Sequence, residues 1–329
     1  MTGNDDSRFI TAAISLASRG RARSSPNPNV GCVIAKDGVV VGHGWTRAGG
    51  RPHAEAEALS MAGSDARGAT AWVTLEPCAH ESARGPACAD LLIKAGIARV
   101  VCPLRDPDPR TSGKGFDRLE AAGIAVTLVD RFAADARREM AGWWTRQTAG
   151  RPFVTLKLAT SLDGCIALAS GESRWITGEA ARAHGHLERA RSNMVLVGRG
   201  TFDADSPGLD VRLPGLEHLS PRRALLSSSP VVSAGWEGVQ SPAGVSGIDG
   251  VDWLLVEGGA ETASSFVRAG LADRILLYRA PILIGGGRAA LGDIGLVSLA
   301  DAHGRWEHIE TRTLGSDTLE VYEARRKDA

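Results

Sequence analysis

The sequence predicts a two-domain α/β protein, and three observations carry that reading. The first is length: 329 residues are enough for two domains of ordinary size. The second is a hydrophobic pattern that switches repeatedly between helical spacing and short apolar runs, the alternation that builds layered α/β domains. The third is a short, small and polar junction, Thr148-Ala149-Gly150-Arg151-Pro152. It reads as a linker between a first domain over residues 1–147 and a second over 153–329.

In the first half, Phe9, Ile10, Ala13, Leu16 and Ala17 recur at helical spacing, so Phe9 to Ser18 is expected to be a helix that Gly20 can end. Val30 to Ala35 and Val39 to Gly44 flank Lys36-Asp37-Gly38, the turn of a hairpin. Pro52-His53 opens the next helix, with Ala54, Ala56, Ala58 and Leu59 as strong formers, which puts His53 and Glu55 in its first turn. Ala71 to Leu75 reads as a buried strand ending in the turn Glu76-Pro77-Cys78. Pro86 is placed to begin a helix through Lys94, with Gly96 as terminator. Arg99 to Pro103 is a strand. Gly113-Lys114-Gly115 opens a helix through Ala122, Ile124 to Val129 follows as a strand, and Asp130 to Arg146 reads as one last helix.

The second half again mixes the two element types. Phe153 to Leu158, Asn193 to Gly198, Asp252 to Glu257 and Arg274 to Tyr278 read as strands, and Thr262 to Ala269 as a helix. Glu307 to Arg312 and Thr318 to Glu323 are expected to close the domain as strands.

Composition narrows the function. Hydrophobic residues make up 43% and charged residues 23%, the balance of an ordinary soluble globular protein. The 38 basic and 38 acidic residues cancel, and no basic block marks a nucleic-acid footprint. Met1 to Arg8 is too polar for a signal peptide, and no apolar run approaches a membrane span. Five cysteines (32, 78, 88, 102 and 165) form no disulfide framework, which fits a reducing cytoplasm.

His53-Ala54-Glu55, Pro77-Cys78 and Cys88 carry the chemistry of the first half. One imidazole and two thiols are three zinc ligands, which leaves a fourth position for water, as catalytic zinc requires. The bound water loses a proton near neutral pH and attacks an amino-bearing ring carbon. Glu55, two residues after the first ligand, carries protons from that water to the departing ammonia, the arrangement of a zinc nucleobase deaminase. That signature usually spaces its cysteines two residues apart, whereas here residues 79–87 intervene as a loop.

In the second half, Val256-Glu257-Gly258-Gly259-Ala260 is a strand, a glycine pair and a helix start. Without side chains, the pair lets backbone N–H groups approach a phosphate. A tight turn is the plainer reading of the same pair. Ile284-Gly285-Gly286-Gly287 is a second such loop, and the two are expected to clamp a dinucleotide, although neither has the Rossmann glycine spacing. Arg189 and Arg212 are candidate phosphate partners, since a guanidinium matches phosphate oxygens in paired hydrogen bonds.

The two halves together resemble the bifunctional deaminase/reductase family of riboflavin biosynthesis. The first match runs through Pro26 to Ile34, Pro52 to Glu55 and Val73 to His80; the second through Arg151 to Lys157, Ser161 to Gly164, Ala167 to Gly178 and Val256 to Ala260. The resemblance implies a cytidine-deaminase-like three-layer α/β/α domain followed by a dihydrofolate-reductase-like α/β domain. It implies zinc-dependent deamination of 2,5-diamino-6-(5-phosphoribosylamino)pyrimidin-4(3H)-one, then NADPH-dependent reduction of the ribosyl chain to ribityl. It implies Zn2+ on His53, Cys78 and Cys88, with Glu55 and Lys157 as the catalytic residues. Substrate contacts are implied at Asn27, His80, Arg84, Ser173, Arg189, Leu209, Arg212 and Glu257. NADPH contacts are implied at Ala159, Trp175, Thr201, Asp205 and Ser228, and along Gly259, Ala260, Glu261, Thr262, Ala263, Ser264 and Ser265. The implied partner is a small phosphoribosylated pyrimidine, with no nucleic acid and no membrane, in a cytoplasmic homodimer or higher homo-oligomer.

There are departures from the family pattern. The loop from Cys78 to Cys88 is one residue longer, Arg84 stands in place of a Lys that meets the phosphate, and Thr46 stands where many members have His. Pro214 to Asp252 is compressed and rich in Ser, Gly and Pro, where relatives carry a further strand and helix near the adenosine end of NADPH. Weaker cofactor binding is the expectation, and a deaminase whose second domain serves only binding or dimerisation is the alternative.

Overall fold

Three adjoining strands near the start of the chain fix the first layer, and everything later in the first half is laid against them. The computed structural model describes residues 3–80, 84–230 and 233–325, divided into two compact units, Met1–Gly150 and Arg151–Ala329. The first unit runs α1 (Gly3–Ala17), β1 (Gly31–Lys36), β2 (Val39–Trp45), α2 (Ala54–Ala62), β3 (Thr70–Val73), α3 (Cys88–Ala95), β4 (Arg99–Cys102), α4 (Lys114–Ala121), β5 (Ala125–Leu128), α5 (Ala133–Glu139) and α6 (Ala141–Ala149). The sheet order is β2-β1-β3-β4-β5, antiparallel on either side of β1 and parallel from β3 onward.

Alternation along β1 separates two cores. Cys32 and Ile34 join the core with Ala54, Ala58 and Leu92 from α2 and α3, whereas Val33 and Ala35 join the one with Phe9, Ile10 and Ala13 of α1. A sheet buried on both faces between helices is the three-layer arrangement. Helix α2 sits close to β2 because two strand residues have no side chain. A Cβ on Gly42 would lie 2.2 Å from the Ala58 carbonyl oxygen, and one on Gly44 would lie 2.6 Å from that of Ala54.

Several boundaries differ from expectation. The first helix starts at Gly3 rather than Phe9. Its Asp6 is buried, accepting from Trp72 Nε1 at 3.0 Å and pairing with Arg99 at 2.8 Å, so tertiary contacts extend the helix toward the N-terminus. The helix expected from Pro86 begins at Cys88, with Ala87 as N-cap. The single helix expected over 130–146 is a short 3-10 turn, α5 and α6, broken at the fully buried Met140. The expected linker is not free chain. Thr148 and Ala149 complete α6, Gly150 caps it in the left-handed region, and Arg151 is buried in a two-pronged pair with Asp273. Within the loop after Cys78, residues 81–83 lie outside the described residues, as do Met1 and Thr2.

The second unit runs β6 (Phe153–Thr160), β7 (Cys165–Ala167), α7 (Glu179–Ala190), β8 (Met194–Gly198), α8 (Arg199–Asp205), β9 (Arg222–Leu226), β10 (Trp236–Val239), β11 (Trp253–Val256), α9 (Ala260–Arg268), β12 (Arg274–Arg279), β13 (Arg288–Ala289), β14 (Trp306–Leu314) and β15 (Asp317–Ala324). Eight strands pair in the order β10-β9-β8-β11-β6-β12-β15-β14, and the six from β10 to β12 are parallel. Near-continuous apolar runs on β8 and β11 fit strands covered on both faces. Met194 and Leu196 pack with Phe266 and Val267 of α9, and Val195 and Val197 face the other way with Leu225 and Leu255.

One feature of this unit extends the sequence reading and one corrects it. The stretch from Pro214 to Asp252, compressed and rich in Ser, Gly and Pro, builds β9 and β10 at the parallel edge. Ile284-Gly285-Gly286-Gly287 is not an open phosphate cradle. Ile284 and Gly285 both donate their N–H groups to the Asp163 carboxylate, at 3.1 and 2.7 Å, and a Cβ on Gly287 would lie 2.4 Å from the Ala167 carbonyl.

Candidate active sites

In the first unit, three elements bring His53, Cys78 and Cys88 together. His53 is the extended N-cap of α2, Cys78 lies in the turn after β3, and Cys88 is the first residue of α3. Their donor atoms lie within 4.8 Å of one another. His53 Nδ1 is 3.2 Å from Cys88 Sγ and 3.7 Å from Cys78 Sγ. Ligands on a tetrahedral zinc are separated by about 3.5 Å, given metal bonds of about 2.0–2.3 Å, so the residues fit the ion before it arrives. Backbone bonds hold the triangle: Cys88 N–H donates to Cys78 Sγ at 3.3 Å, and Ala89 N–H to the Cys78 carbonyl at 3.2 Å.

The two thiols share one hydrogen bond and split in acidity. The Cys88 thiol donating to Cys78, with His53 alongside, holds Cys78 down at about 4 against the effect of burial, so it stands ready as a thiolate ligand. The same bond, with burial, pushes Cys88 up. Glu55 is 3% exposed beside them, and burial raises its carboxyl above the ordinary range while the charge of His53 opposes. Cys32 and Cys102 are also buried, and burial raises both thiols; they are core residues.

Asn27 reaches the site, its Nδ2 2.7 Å from His53 Nε2 and donating to the Gly50 carbonyl at 3.0 Å. His80 Nδ1 is 3.2 Å from Thr111 Oγ1. Arg84 is exposed and bonds the Gly49 carbonyl. Thr46 is a structural residue, its buried hydroxyl accepting the Val30 N–H at 3.0 Å.

In the second unit, a cleft of about 460 Å³ is lined by Lys157, Trp175, Arg182, Arg189, Arg212, Glu257 and others. Glu257, just past β11, accepts both prongs of the Arg189 guanidinium at 2.6 and 2.9 Å, and Lys157 Nζ stands 3.9 Å away. Burial works to raise the Glu257 carboxyl, but the Arg189 fork and Lys157 outweigh it and hold it below the ordinary range. Arg212 is largely exposed, 3.6 Å from Asp210. Leu209 does not face the cleft. It is 3% exposed with a φ of 54°, and its side chain packs in the core with Val195 and Leu255.

Gly258 and Gly259 follow β11 and Glu257 and lead into α9. Gly259 is an N-cap with no side-chain bond, so the N–H groups of Ala260, Glu261 and Thr262 are the ones a helix leaves for an outside acceptor. Ala263 N–H already donates to the Gly259 carbonyl, Ala263 and Ser264 are buried, and Ser264 Oγ accepts the Gly292 N–H. Ser265 Oγ donates to the Thr262 carbonyl. Thr201 Oγ1 lies 3.8 Å from where a Gly259 Cβ would be, and Asp205, at the end of α8, pairs with Arg174 at 3.1 Å. Ala159 lies near the end of β6, Ser173 is exposed before the 67%-exposed Trp175, and Ser228 is exposed just past β9. Uncapped amides, glycines and an exposed indole around parallel strand ends fit a dinucleotide phosphate and its rings.

Among the cleft residues that sequence reasoning missed are Arg182 and Tyr278. Arg182 stacks over the Trp175 ring at 4.9 Å, and Tyr278 is buried under Lys157 with its hydroxyl 2.7 Å from His184 Nδ1. The signals were present: Arg182 sits one turn into a polar helix, and Tyr278 takes an inward position on an alternating strand.

Comparison with known proteins matches a family model to each unit. Residues 3–104 match the cytidine and deoxycytidylate deaminase zinc-binding region, and residues 152–235 and 248–319 match the RibD C-terminal domain. Riboflavin biosynthesis protein RibD of Escherichia coli (strain K12) is 38% identical, covering 95% of this chain and 97% of that protein. The RibD of Aquifex aeolicus (strain VF5) is 36% identical, covering 90% and 92%. The structure of Acinetobacter baumannii RibD superposes with a TM-score of 0.84 at 35% identity, over 98% of this chain and 99% of that one. The diaminohydroxyphosphoribosylaminopyrimidine deaminase/5-amino-6-(5-phosphoribosylamino)uracil reductase of Thermotoga maritima gives 0.87 at 31% identity, over 98% and 99%.

Proposed function

This chain belongs to the RibD family, and from that premise we propose which of its residues perform the family's two reactions. It is a bifunctional enzyme of riboflavin biosynthesis, a zinc-dependent deaminase joined to an NADPH-dependent reductase. The observation that carries the assignment is the triangle of His53, Cys78 and Cys88 at tetrahedral spacing with a buried carboxyl, Glu55, beside it.

Zinc supplies Lewis acidity that makes water nucleophilic near neutral pH. Glu55 takes a proton from the attacking water and gives it to the leaving amino group. Burial raises its carboxyl above the ordinary range, which supports that work, because a shuttle must be able to hold a proton near the working pH. Asn27 and His80 orient the aminopyrimidine, and Arg84 meets the ribose phosphate at the rim.

In the reductase, Glu257 fixes Arg189 by a two-pronged bond, and Arg189, Arg212 and Lys157 line the cleft for an anionic sugar phosphate. Holding the dianion still keeps the neighbouring carbon in line for hydride. We assign proton delivery there to Lys157. The free N–H groups of Ala260 to Thr262 take the cofactor's phosphates, with Thr201, Asp205 and Trp175 around them. No helix among the described residues is long and apolar enough to cross a membrane. Cytoplasmic residence is supported by five free cysteines. A homodimer is the assembly we propose, on family resemblance, and sedimentation velocity tests it.

Glu55→Gln separates the activities. Ammonia release should fall about 10²–10⁴-fold, the weight of a general acid–base group. NADPH oxidation on the deaminated aminouracil phosphate should persist. Loss of both together would defeat the assignment of two independent sites, and an absence of NADPH oxidation in the parent would leave the second unit a binding module.

A further inference from the structure

Glu76 stands two residues before Cys78, and neither reaction above uses it. It is 3% exposed, and backbone N–H groups surround its carboxylate. Oε2 accepts from Asp106 at 3.2 Å and Gly113 at 3.0 Å; Oε1 accepts from Gly115 at 2.9 Å and Phe116 at 3.4 Å. Its own N–H donates to the Leu104 carbonyl at 3.0 Å. One side chain thus ties down both ends of the connection between β4 and α4.

The middle of that connection faces the deaminase. Thr111 is fully buried, its N–H donates to the Asp108 carbonyl at 2.9 Å, and its hydroxyl lies 3.2 Å from His80. The start of α4 is pressed against the cysteine turn itself, since a Cβ on Gly115 would lie 2.1 Å from the Pro77 carbonyl.

We propose that Glu76 is a positioning residue for the deaminase substrate: it holds segment 105–113 as a wall of the pyrimidine pocket and acts through Thr111 and His80 rather than through the metal ligands. Four donors converge on two acceptor oxygens, which only a carboxylate provides. A glutamine offers one oxygen and turns an NH₂ toward two of the donors. The proposal rests on the deaminase reading, so its test includes measurements made without turnover.

The variant is Glu76→Gln in the full-length, zinc-loaded enzyme. KM for the diaminopyrimidine ribotide should rise about tenfold or more, as when a charge-assisted hydrogen bond is lost. The value of kcat and the zinc content should stay near those of the parent, and amide exchange across 104–116 should quicken. Gly115→Ala keeps the carboxylate of Glu76 but pushes α4 off the Pro77 carbonyl and crowds Glu76 Cγ and Oε1, each 3.1 Å from the added Cβ, so it should reproduce the KM rise; it decides the matter if Glu76→Gln does not fold. Unchanged KM with unchanged exchange would overturn the proposal. So would zinc loss that tracks kcat at constant KM, because Glu76 would then act through Cys78. A parent that released no ammonia while Glu76→Gln still loosened 104–116 would instead indict the deaminase reading.

Discussion

Gly44→Ala tests whether the seat of one helix controls the zinc site. The added Cβ would lie 2.5 Å from Glu57 Cβ, 2.6 Å from the Ala54 carbonyl oxygen and 2.9 Å from Ala58 N. Van der Waals contact is comfortable from about 3.5 Å, so the first turn of α2 must retreat by about 1 Å. His53 immediately precedes that turn. Metal bonds tolerate only about 0.2 Å, so a 1 Å retreat takes the imidazole out of range unless the turn rotates back. Overpacking should cost about 1–3 kcal/mol of stability. Zinc affinity should fall about 10–100-fold, as when an orienting contact behind a ligand is lost. Competition against a graded chelator series measures the affinity, ammonia release follows the consequence, and NADPH oxidation serves as the internal control. Parental zinc affinity in a protein with a parental melting curve would refute the reasoning, because α2 would then not be seated by that contact.

Two further outcomes follow from buried charges. Glu257→Gln removes the carboxylate from a fork whose side chains are only 14% and 12% exposed, so the second unit should lose about 3–5 kcal/mol of stability in denaturant titration. Because the folded carboxyl is held below its ordinary range, that stability is present above the usual carboxylate range and fades as pH falls through the folded value; a variant with an unchanged acid limb would contradict this. Asp106 behaves oppositely. Burial raises it to about 7, with Asp108, Glu76 and Cys78 adding repulsion, so its contribution is full below the usual carboxylate range and is lost as pH rises through about 7. With zinc chelated away, Asp106→Asn should therefore gain stability over the parent by up to about 4 kcal/mol at pH ~8 and little at pH ~4. Equal shifts at both pH values would count against it.

The metal triangle was legible because its chemistry is carried by residue types that few other arrangements require, and His53, Cys78 and Cys88 are reached by short local elements. What composition hid was tertiary. The Ser- and Gly-rich stretch after Pro214 carries no assigned element in the sequence reading, and β9 and β10 form there by parallel pairing outward from β8. Met140 interrupts an otherwise periodic helix, with φ −103° and ψ 19° and a side chain fully buried in the core, and no local propensity encodes that interruption. The run Gly285-Gly286-Gly287 announces close approach without naming the partner, and the partner is the chain's own Asp163, a carboxylate in the role expected of a phosphate. Leu209 shows the same limit from the other side: its motif position was readable, but the direction of its side chain was not.

Thr262 sits against two glycines, Gly198 at the end of β8 and Gly258 in the turn after β11, and the two contacts are unequal. A Cβ on Gly198 would strike the Thr262 hydroxyl oxygen at 2.0 Å, with the Thr262 Cβ left at 3.4 Å; a Cβ on Gly258 would strike the Thr262 Cβ itself at 2.5 Å. The three positions therefore form one unit of inheritance with a direction built in. Alanine becomes admissible at position 198 once the hydroxyl at 262 has gone, so that exchange can occur in two ordered steps. No such order exists for position 258, where every residue at 262 other than glycine brings the obstructing carbon with it. Drift in the strand ends around the cofactor loop is thus open at one glycine and closed at the other.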